Sequence, residues 1–383
     1  MTNPRKMMMA AAGLSTSEGT NYLFAWGSGG SGRLGVGNTT SYSSPIQVDD
    51  GNLWTRVAAQ GNGANAIKSD GTLWGWGAAT LGKLGLGNTT TYSSPVQVGS
   101  LTNWAGLSVE ADNHCHGVKT DGTLWAWGRN SHGELGDGST TNRSSPVQIG
   151  SLTNWTTKIS SAFKNTHAVK TDGTLWGWGY NLYHSGVGDG TLTNRSSPVQ
   201  IGSATDWANV YSHRDGGHAV TTAGRLWGWG RNFYGEIGNG TYRTRQSVPV
   251  QIGSLTTWVK CVPCGSQARV ALKTDGTLWS WGGSNNEYRP LNTTTNYSSP
   301  VQVGSLTTWA DVFGTGGDGN GGGAIKTDGT LWAWGMNNAG QLGDGSTTKR
   351  TSPVQIGSLT TWGGDTSINF GGQFRTAIFI NEE

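Results

Sequence analysis

Charge is scarce in this 383-residue chain, and so are cysteine and any long apolar run. Lys, Arg, Asp and Glu together make up 13% of the residues and leave a net charge of +3. That balance is too weak to imply the electrostatic footprint of a nucleic-acid binder, which needs Lys and Arg gathered on one face, so nucleic acid is not the expected partner. Three cysteines, Cys115, Cys261 and Cys264, are too few and too irregularly spaced for a disulfide framework. No segment keeps a 3.6-residue apolar period, so little helix is expected. The longest apolar stretch near the N-terminus, Met7 to Ala12, is too short for a signal core or a membrane span.

Glycine and tryptophan are abundant instead, at 64 and 20 residues. Most of the tryptophans sit in one recurring phrase, Ala-Ile-Lys-Ser-Asp-Gly-Thr-Leu-Trp-Gly-Trp-Gly at Ala66 to Gly77, with variants starting at Gly117, Ala168, Ala219, Ala271 and Ala324. Asp-Gly between apolar runs marks a tight hairpin, because glycine supplies the positive φ of the turn. Each period also holds a Gly-rich turn, such as Gly133-Glu-Leu-Gly-Asp-Gly138, then Ser-Ser-Pro-Val-Gln, as at Ser144 to Gln148, then a third Trp opening a strand. Four short strands per period of about 51 residues is the content of one propeller blade.

The ends of the chain complete the count. Phe374 to Ile380 reads as the first arm of the hairpin with no second arm after it, and Tyr22 to Gly27 reads as that missing arm. The expected architecture is therefore all-β: a seven-bladed propeller of four-stranded blades closed by the N-terminal strand. Residues 21–383 form the ring, cut at about 45–77, 95–128, 146–179, 198–230, 249–282, 300–335, and 353–380 plus 22–27. Residues 1–20 form a flexible or docking arm, with Arg5, Lys6, Met7, Met8 and Met9 as its candidate contacts. Alternation places Trp74 and Trp76 on one face of a blade, where large indoles are expected to rest over Gly75-type residues of the next blade.

Gly-x-Leu-Gly-x-Gly, Ser-Ser-Pro and Asp-Gly-x-Leu-Trp-x-Trp-Gly, in fixed order over residues 22 to 380, resemble the regulator of chromosome condensation repeat family. The resemblance implies a seven-bladed propeller whose closing blade mixes strands from both termini. The family's best-known member is a nucleotide exchange factor for a small GTPase; that activity is not carried over, because no exchange-specific residue is matched, and it stands as the last-ranked alternative. The Trp-heavy Ser-Ser-Pro-Val-Gln-Ile-Gly form looks more like bacterial and bacteriophage repeats.

Candidate chemistry reduces largely to scaffold. Three Trp positions in seven repeats, with Phe24 in one of them, account for every tryptophan. His114-Cys-His116 and Cys261-Val-Pro-Cys264 offer zinc-type ligands, but Cys261 falls where other repeats have Val57, Leu107, Val210 and Val312. Asp137, Asp189 and Asp344 lie in Gly-Asp-Gly turns, where a short acid caps local backbone. No catalytic residue, metal or cofactor is expected.

What departs from the repeat sits in loops, where binding resides on rigid scaffolds: Arg214 beside His213, Tyr288 and Arg289 in the replaced turn after Trp281, and the Gly-rich stretch 314–323. The position before Ser-Ser-Pro also splits into Tyr42, Tyr92 and Tyr297 against Arg143, Arg195 and Arg350. Both residue types are favoured interface anchors. These features predict a non-enzymatic propeller with protein partners in an assembly, on a virion or a bacterial surface. A surface glycan is the alternative ligand.

Overall fold

The computed structural model describes residues 21–49, 53–108, 113–283, 289–314, 321–360, 362, 368–370 and 374–380. Over these residues the chain forms seven antiparallel sheets of four strands, arranged as a closed propeller. Six blades are contiguous in sequence, at 54–97, 104–148, 155–200, 207–251, 258–302 and 309–355, and are numbered one to six here. The seventh combines Ile368–Phe370 and Phe374–Ile380 with Asn21–Gly27 and Tyr42–Gln47. Among the described residues helix is confined to two short 3-10 turns, Gly30–Gly32 and Thr80–Gly82.

The expected closure is present. Asn21–Gly27 pairs with Phe374–Ile380 at every residue, from Asn21 with Ile380 to Gly27 with Phe374. The expected blade boundaries are shifted by one strand. Tyr92–Gln97, which carries Ser-Ser-Pro, pairs with Leu73–Gly77 before it and not with the strand that follows. The closing blade therefore takes two strands from each end of the chain. Proline explains the placement: without an N–H it suits an outer edge, and each outer strand breaks register beside it. The strands that begin at the third Trp, such as Trp54–Gln60, touch their counterparts in neighbouring blades and so ring the axis.

Between blades the indoles act as staples. Trp76 is wholly buried, and its Nε1 donates to the Arg33 carbonyl in the Gly-rich turn of the preceding blade, at 3.0 Å. Trp26, Trp127, Trp178, Trp229 and Trp281 repeat the bond to Gln341, Lys83, Glu134, Gly186 and Glu236. The glycine under the indole is Gly35, not Gly75 as the alternation suggested. A Cβ on Gly35 would lie 2.7 Å from Trp76 Nε1, and its φ of +75° already favours glycine. Gly75 is restricted from within its own blade, by Asn65 and the Leu84 carbonyl, each 2.9 Å from where its Cβ would lie.

Blade five has lost its Gly-rich turn, and the next staple changes partner. Trp334 Nε1 donates to the Cys264 sulfur at 3.3 Å. Burial pushes that thiol up to about 12, so it stays protonated. Cys115, Cys261 and Cys264 are all buried and are thiols, not members of a disulfide.

Candidate docking face

Antiparallel strand order gives the ring two unlike faces. One carries the Asp-Gly hairpin turns. The other carries the loops from inner to second strand together with the Gly-rich turns, and here the repeat diverges.

The Gly-rich turns are held by short polar side chains. Asn130 Nδ2 donates to Asp137 Oδ1 at 2.9 Å, while its Oδ1 accepts from the Leu135 N–H. Asp137 also accepts from the Ser139 N–H and hydroxyl, and Arg143 places Nε and a terminal nitrogen on its Oδ2 at 2.9 and 2.8 Å. Burial raises the Asp137 pKa, but the Ser139 and Arg143 hydrogen bonds outweigh it and hold the carboxyl below its usual range. Asp189 with Arg195 and Asp344 with Arg350 repeat the lock.

In the closing blade and blade one the turn carries Asn38 or Asn88 instead, and the partner is tyrosine. Asn38 and Asn88 donate to the hydroxyls of Tyr42 and Tyr92. Tyr42, Tyr92, Arg143, Arg195 and Arg350, read from sequence as surface anchors, are thus the outer halves of turn locks. Tyr297 has the Arg289 guanidinium over its ring at 5.1 Å. Arg289 is only 3% exposed, so its side chain packs inward rather than lining an accessible loop. Tyr288, the arm residues Arg5, Lys6, Met7, Met8 and Met9, and positions 315–320 lie outside the described residues.

The locks make a distinction that unfolding can measure. Asp137→Ala leaves Asn130, Ser139 and Arg143 without their shared acceptor and is expected to cost about 2 kcal/mol, in the range for buried charged hydrogen bonds. Arg143 is 38% exposed on its side chain, so Arg143→Ala should cost less than about 1 kcal/mol. Urea denaturation of both variants checks the order; equal losses would mean the arginine carries the turn.

The histidines of the inner and second strands are internal. His116, His167 and His218 each donate Nε2–H to the Gly-rich turn of their own blade, at the Leu135, Val187 and Ile237 carbonyls. Asn65 does the same for Leu84 in blade one. Burial lowers the imidazole pKa values, to about 3 for His116 and His218 and about 4 for His167. Among the described residues no group of three or more His, Cys, Asp or Glu is placed to hold a metal.

Accessible cations and aromatics gather on the loop face of blades two to four. Phe163 has Arg129, Lys164 and Arg214 around its ring at 5.8, 5.1 and 4.9 Å. Lys164 also lies 4.7 Å over Tyr180, which meets His132 edge-on. Arg231 and Arg243 flank Phe233, and Arg231 reaches Asp215 at 3.2 Å and Glu236 at 3.7 Å. The acids lie underneath: Glu134, paired with Arg129 and His132, and Glu236 are almost fully buried. Tyr183, Leu182, Phe233 and Tyr242 stand exposed around them, Tyr183 at 68%.

Of this cluster, sequence reading singled out Arg214. Phe163 and Phe233 carried a usable signal, since each is an aromatic outside the repeat phrase in a turn on the loop face. The pattern offers interface residues and cations at the surface with their counter-acids below, and assembles no nucleophile with a base.

A closed ring of near-identical blades, diverging in loops on one face, defines a propeller of the binding type. The chain belongs to the regulator of chromosome condensation (RCC1) repeat family, whose repeat matches residues 21–62, 70–109, 121–166, 223–272 and 328–376, more than half of the chain. It is similar to the ultraviolet-B receptor UVR8 of Arabidopsis thaliana, 28% identical over 93% of this chain and 83% of that protein. The E3 ubiquitin-protein ligase HERC2 of Homo sapiens is 26% identical over 88% of this chain, which spans 6% of that protein. Among solved structures, human WBSCR16 superposes with a TM-score of 0.81 at 18% identity, covering 94% of this chain and 99% of that one. Prp20p of Saccharomyces cerevisiae, described with its binding to Gsp1p and histones, gives 0.79 at 17% identity over 100% and 96%. At these identities the superpositions show the fold alone.

Proposed function

We propose that this protein is a non-enzymatic docking propeller that offers the loop face of blades two to four to a protein partner with an acidic, partly apolar surface. The observation that carries this is the gathering of Arg129, Lys164, Arg214, Arg231 and Arg243 around exposed or half-buried aromatics, in a chain with only 13% charged residues. Arg and aromatic side chains dominate interface hot spots, and desolvated cations reward an acidic counterpart.

The phage or bacterial setting expected from sequence finds no support in the relatives named above, which are from a plant, human and yeast. The proposal does not depend on it. The arm of residues 1–20 is kept as a second contact with the parent assembly. A surface glycan on the Tyr and Asn-rich turns is one alternative; there Tyr42 and Tyr92 accept from Asn38 and Asn88, and a glycan array tests it. Exchange on a small GTPase is the alternative favoured by the likeness to Prp20p, and release of labelled guanine nucleotide separates it.

Partner capture from the source cells, followed by calorimetry with the purified partner, tests the face. The Lys164→Glu, Arg214→Glu, Arg243→Glu triple variant should fold normally and bind at least about tenfold more weakly. Unchanged affinity, with loss on altering the hairpin face instead, would place the interface on the other side.

A further inference from the structure

The blades serve as controls for one another, and on the hairpin face blade four stands apart. In blades one to six the first Trp of the third strand, such as Trp74, leans edge-on against the Trp that opens the inner strand, with ring centroids 5.8–6.3 Å apart. In five of these blades a lysine ammonium lies over that indole at 3.5–3.7 Å: Lys68, Lys119, Lys170, Lys273 and Lys326. The same ammonium is 4.7–5.3 Å from the inner indole. Two indoles thus form a half-cage around one cation of their own blade.

A fixed set of neighbours completes each half-cage. At the Asp-Gly turn a threonine hydroxyl donates to the aspartate at 2.6–2.7 Å and accepts from the indole Nε1 at 2.8–2.9 Å, as Thr72 does between Asp70 and Trp74. Burial lowers the pKa values of Lys119, Lys170 and Lys273, and the charges of Asp121, Asp172 and Asp275 act against that fall.

Blade four keeps the indoles and changes all three neighbours. Trp207 and Trp227 retain the edge-on pair at 5.8 Å and 75°. Thr221 stands at the lysine position, Ala223 at the aspartate and Arg225 at the threonine. Among the described residues, which include all of 113–283, no cation lies over either ring and nothing accepts from Trp227 Nε1. Arg225 is exposed and makes no ion pair within the same residues. The charge pattern is therefore inverted: sister blades hold a cation over the indoles with an acid beside it, whereas blade four supplies no cation over the indoles and places one beside them. Thr222, Ala223 and Arg225 are exposed, so this half-cage is reached from the hairpin face.

We propose that the Trp207–Trp227 half-cage binds a quaternary ammonium group that carries its own acid, of the phosphocholine type. Indole faces attract cations, and quaternary ammonium ions suit aromatic cages. A plain ammonium holds its water strongly, and blade four has no aspartate at the turn to offset the loss of that water. Arg225 repels a bare cation and favours a guest whose phosphate pairs with the guanidinium. The group comes either from free phosphocholine or from a lipid headgroup.

Calorimetric titration with phosphocholine, choline and inorganic phosphate tests the site. Wild-type protein is expected to bind phosphocholine at one site per chain, and choline or phosphate at least about tenfold more weakly, a difference of about 1.4 kcal/mol. The Thr221→Lys, Ala223→Asp double variant restores the sister set; it should melt no lower than wild type and bind phosphocholine at least about tenfold more weakly. Arg225→Thr should bring phosphocholine down to the affinity of choline. Co-sedimentation with phosphatidylcholine vesicles assigns the source to a lipid headgroup; binding of phosphocholine without the vesicles assigns it to the free molecule. No saturable binding of phosphocholine by wild type, equal affinity for choline, or unchanged affinity in the folded double variant overturns the proposal. None of these results bears on the loop face, so failure here is separable from failure of docking.

Discussion

Taking the protein from pH 7 to pH 5 is expected to remove most of its stability. His114, His116, His167, His213 and His218 are almost completely buried, and desolvation holds all five imidazoles neutral in the fold, with pKa values well below the usual range. In the unfolded chain the same groups titrate near 6.5. As pH falls below that value the unfolded state takes up protons and the native state does not, so unfolding becomes more favourable. Each histidine then costs about 1.4 kcal/mol per pH unit, or about 2 kcal/mol at pH 5. Five together approach 10 kcal/mol, comparable to the whole stability of an ordinary domain.

Burial raises the Glu236 carboxyl and acts in the opposite sense, but it is one group against five. Asp137, Asp189 and Asp344 have depressed pKa values and add to the loss only when pH falls below the usual carboxylate range. Urea midpoints at pH 7.5, 6 and 5, followed by far-ultraviolet circular dichroism, check the slope. His116→Asn, which copies Asn65 of blade one, should flatten it by about 1.4 kcal/mol per pH unit. A flat profile between pH 7.5 and 5 would mean that the imidazoles take up protons within the folded ring.

Removing residues 1–27 is expected to abolish the folded ring, whereas removing residues 1–20 should leave its melting temperature unchanged. Residues 21–27 form a seven-pair strand contact with Phe374–Ile380 and bury Leu23, Phe24, Ala25 and Trp26. Loss of one such tryptophan costs about 3–5 kcal/mol, so loss of the strand exceeds typical domain stability. Circular dichroism and size-exclusion chromatography of the two truncations separate the cases. Adding a synthetic peptide of residues 21–27 to the longer truncation should restore the transition. If the 1–27 truncation melts like the intact protein, the seam is not what holds the ring.

The period, the Asp-Gly hairpins and the seam were legible because each is a local signal, and glycine geometry or strand alternation ties it to one conformation. The outer strand was assigned to the wrong blade because Ser-Ser-Pro is equidistant in style from both neighbours; only its pairing with Leu73–Gly77 decides. Tyr42 and Arg143 looked like display residues until their partners were seen. Yet Asn38 with Tyr42 and Asp137 with Arg143 keep company in sequence, and that pairing rule was readable. Arg269 and Arg375 were not readable at all. They sit fully buried in second strands where other blades have Ala64, Cys115, Thr166, Gly217 and Gly322, and burial brings the Arg375 pKa down to about 9. The cluster proposed as a docking face was legible only at Arg214, because its members come from three blades and meet only when the sheet order brings their loops to one side.

The indole staples also give the ring a polarity. Each blade inserts its tryptophan backward into the blade before it, six of the seven into its Gly-rich turn and Trp334 onto Cys264, and receives one from the blade after it, so every junction is head to tail. A repeating head-to-tail junction ends either by closing on itself or by growing without limit. The split blade makes it close, because Trp26, near the start of the chain, reaches the turn at Gln341, near its end. A chain cut between blades would carry an unfilled turn at one end and an unused indole at the other. Two such chains fit each other as well as each once fitted itself, so the hazard built into this fold is a filament.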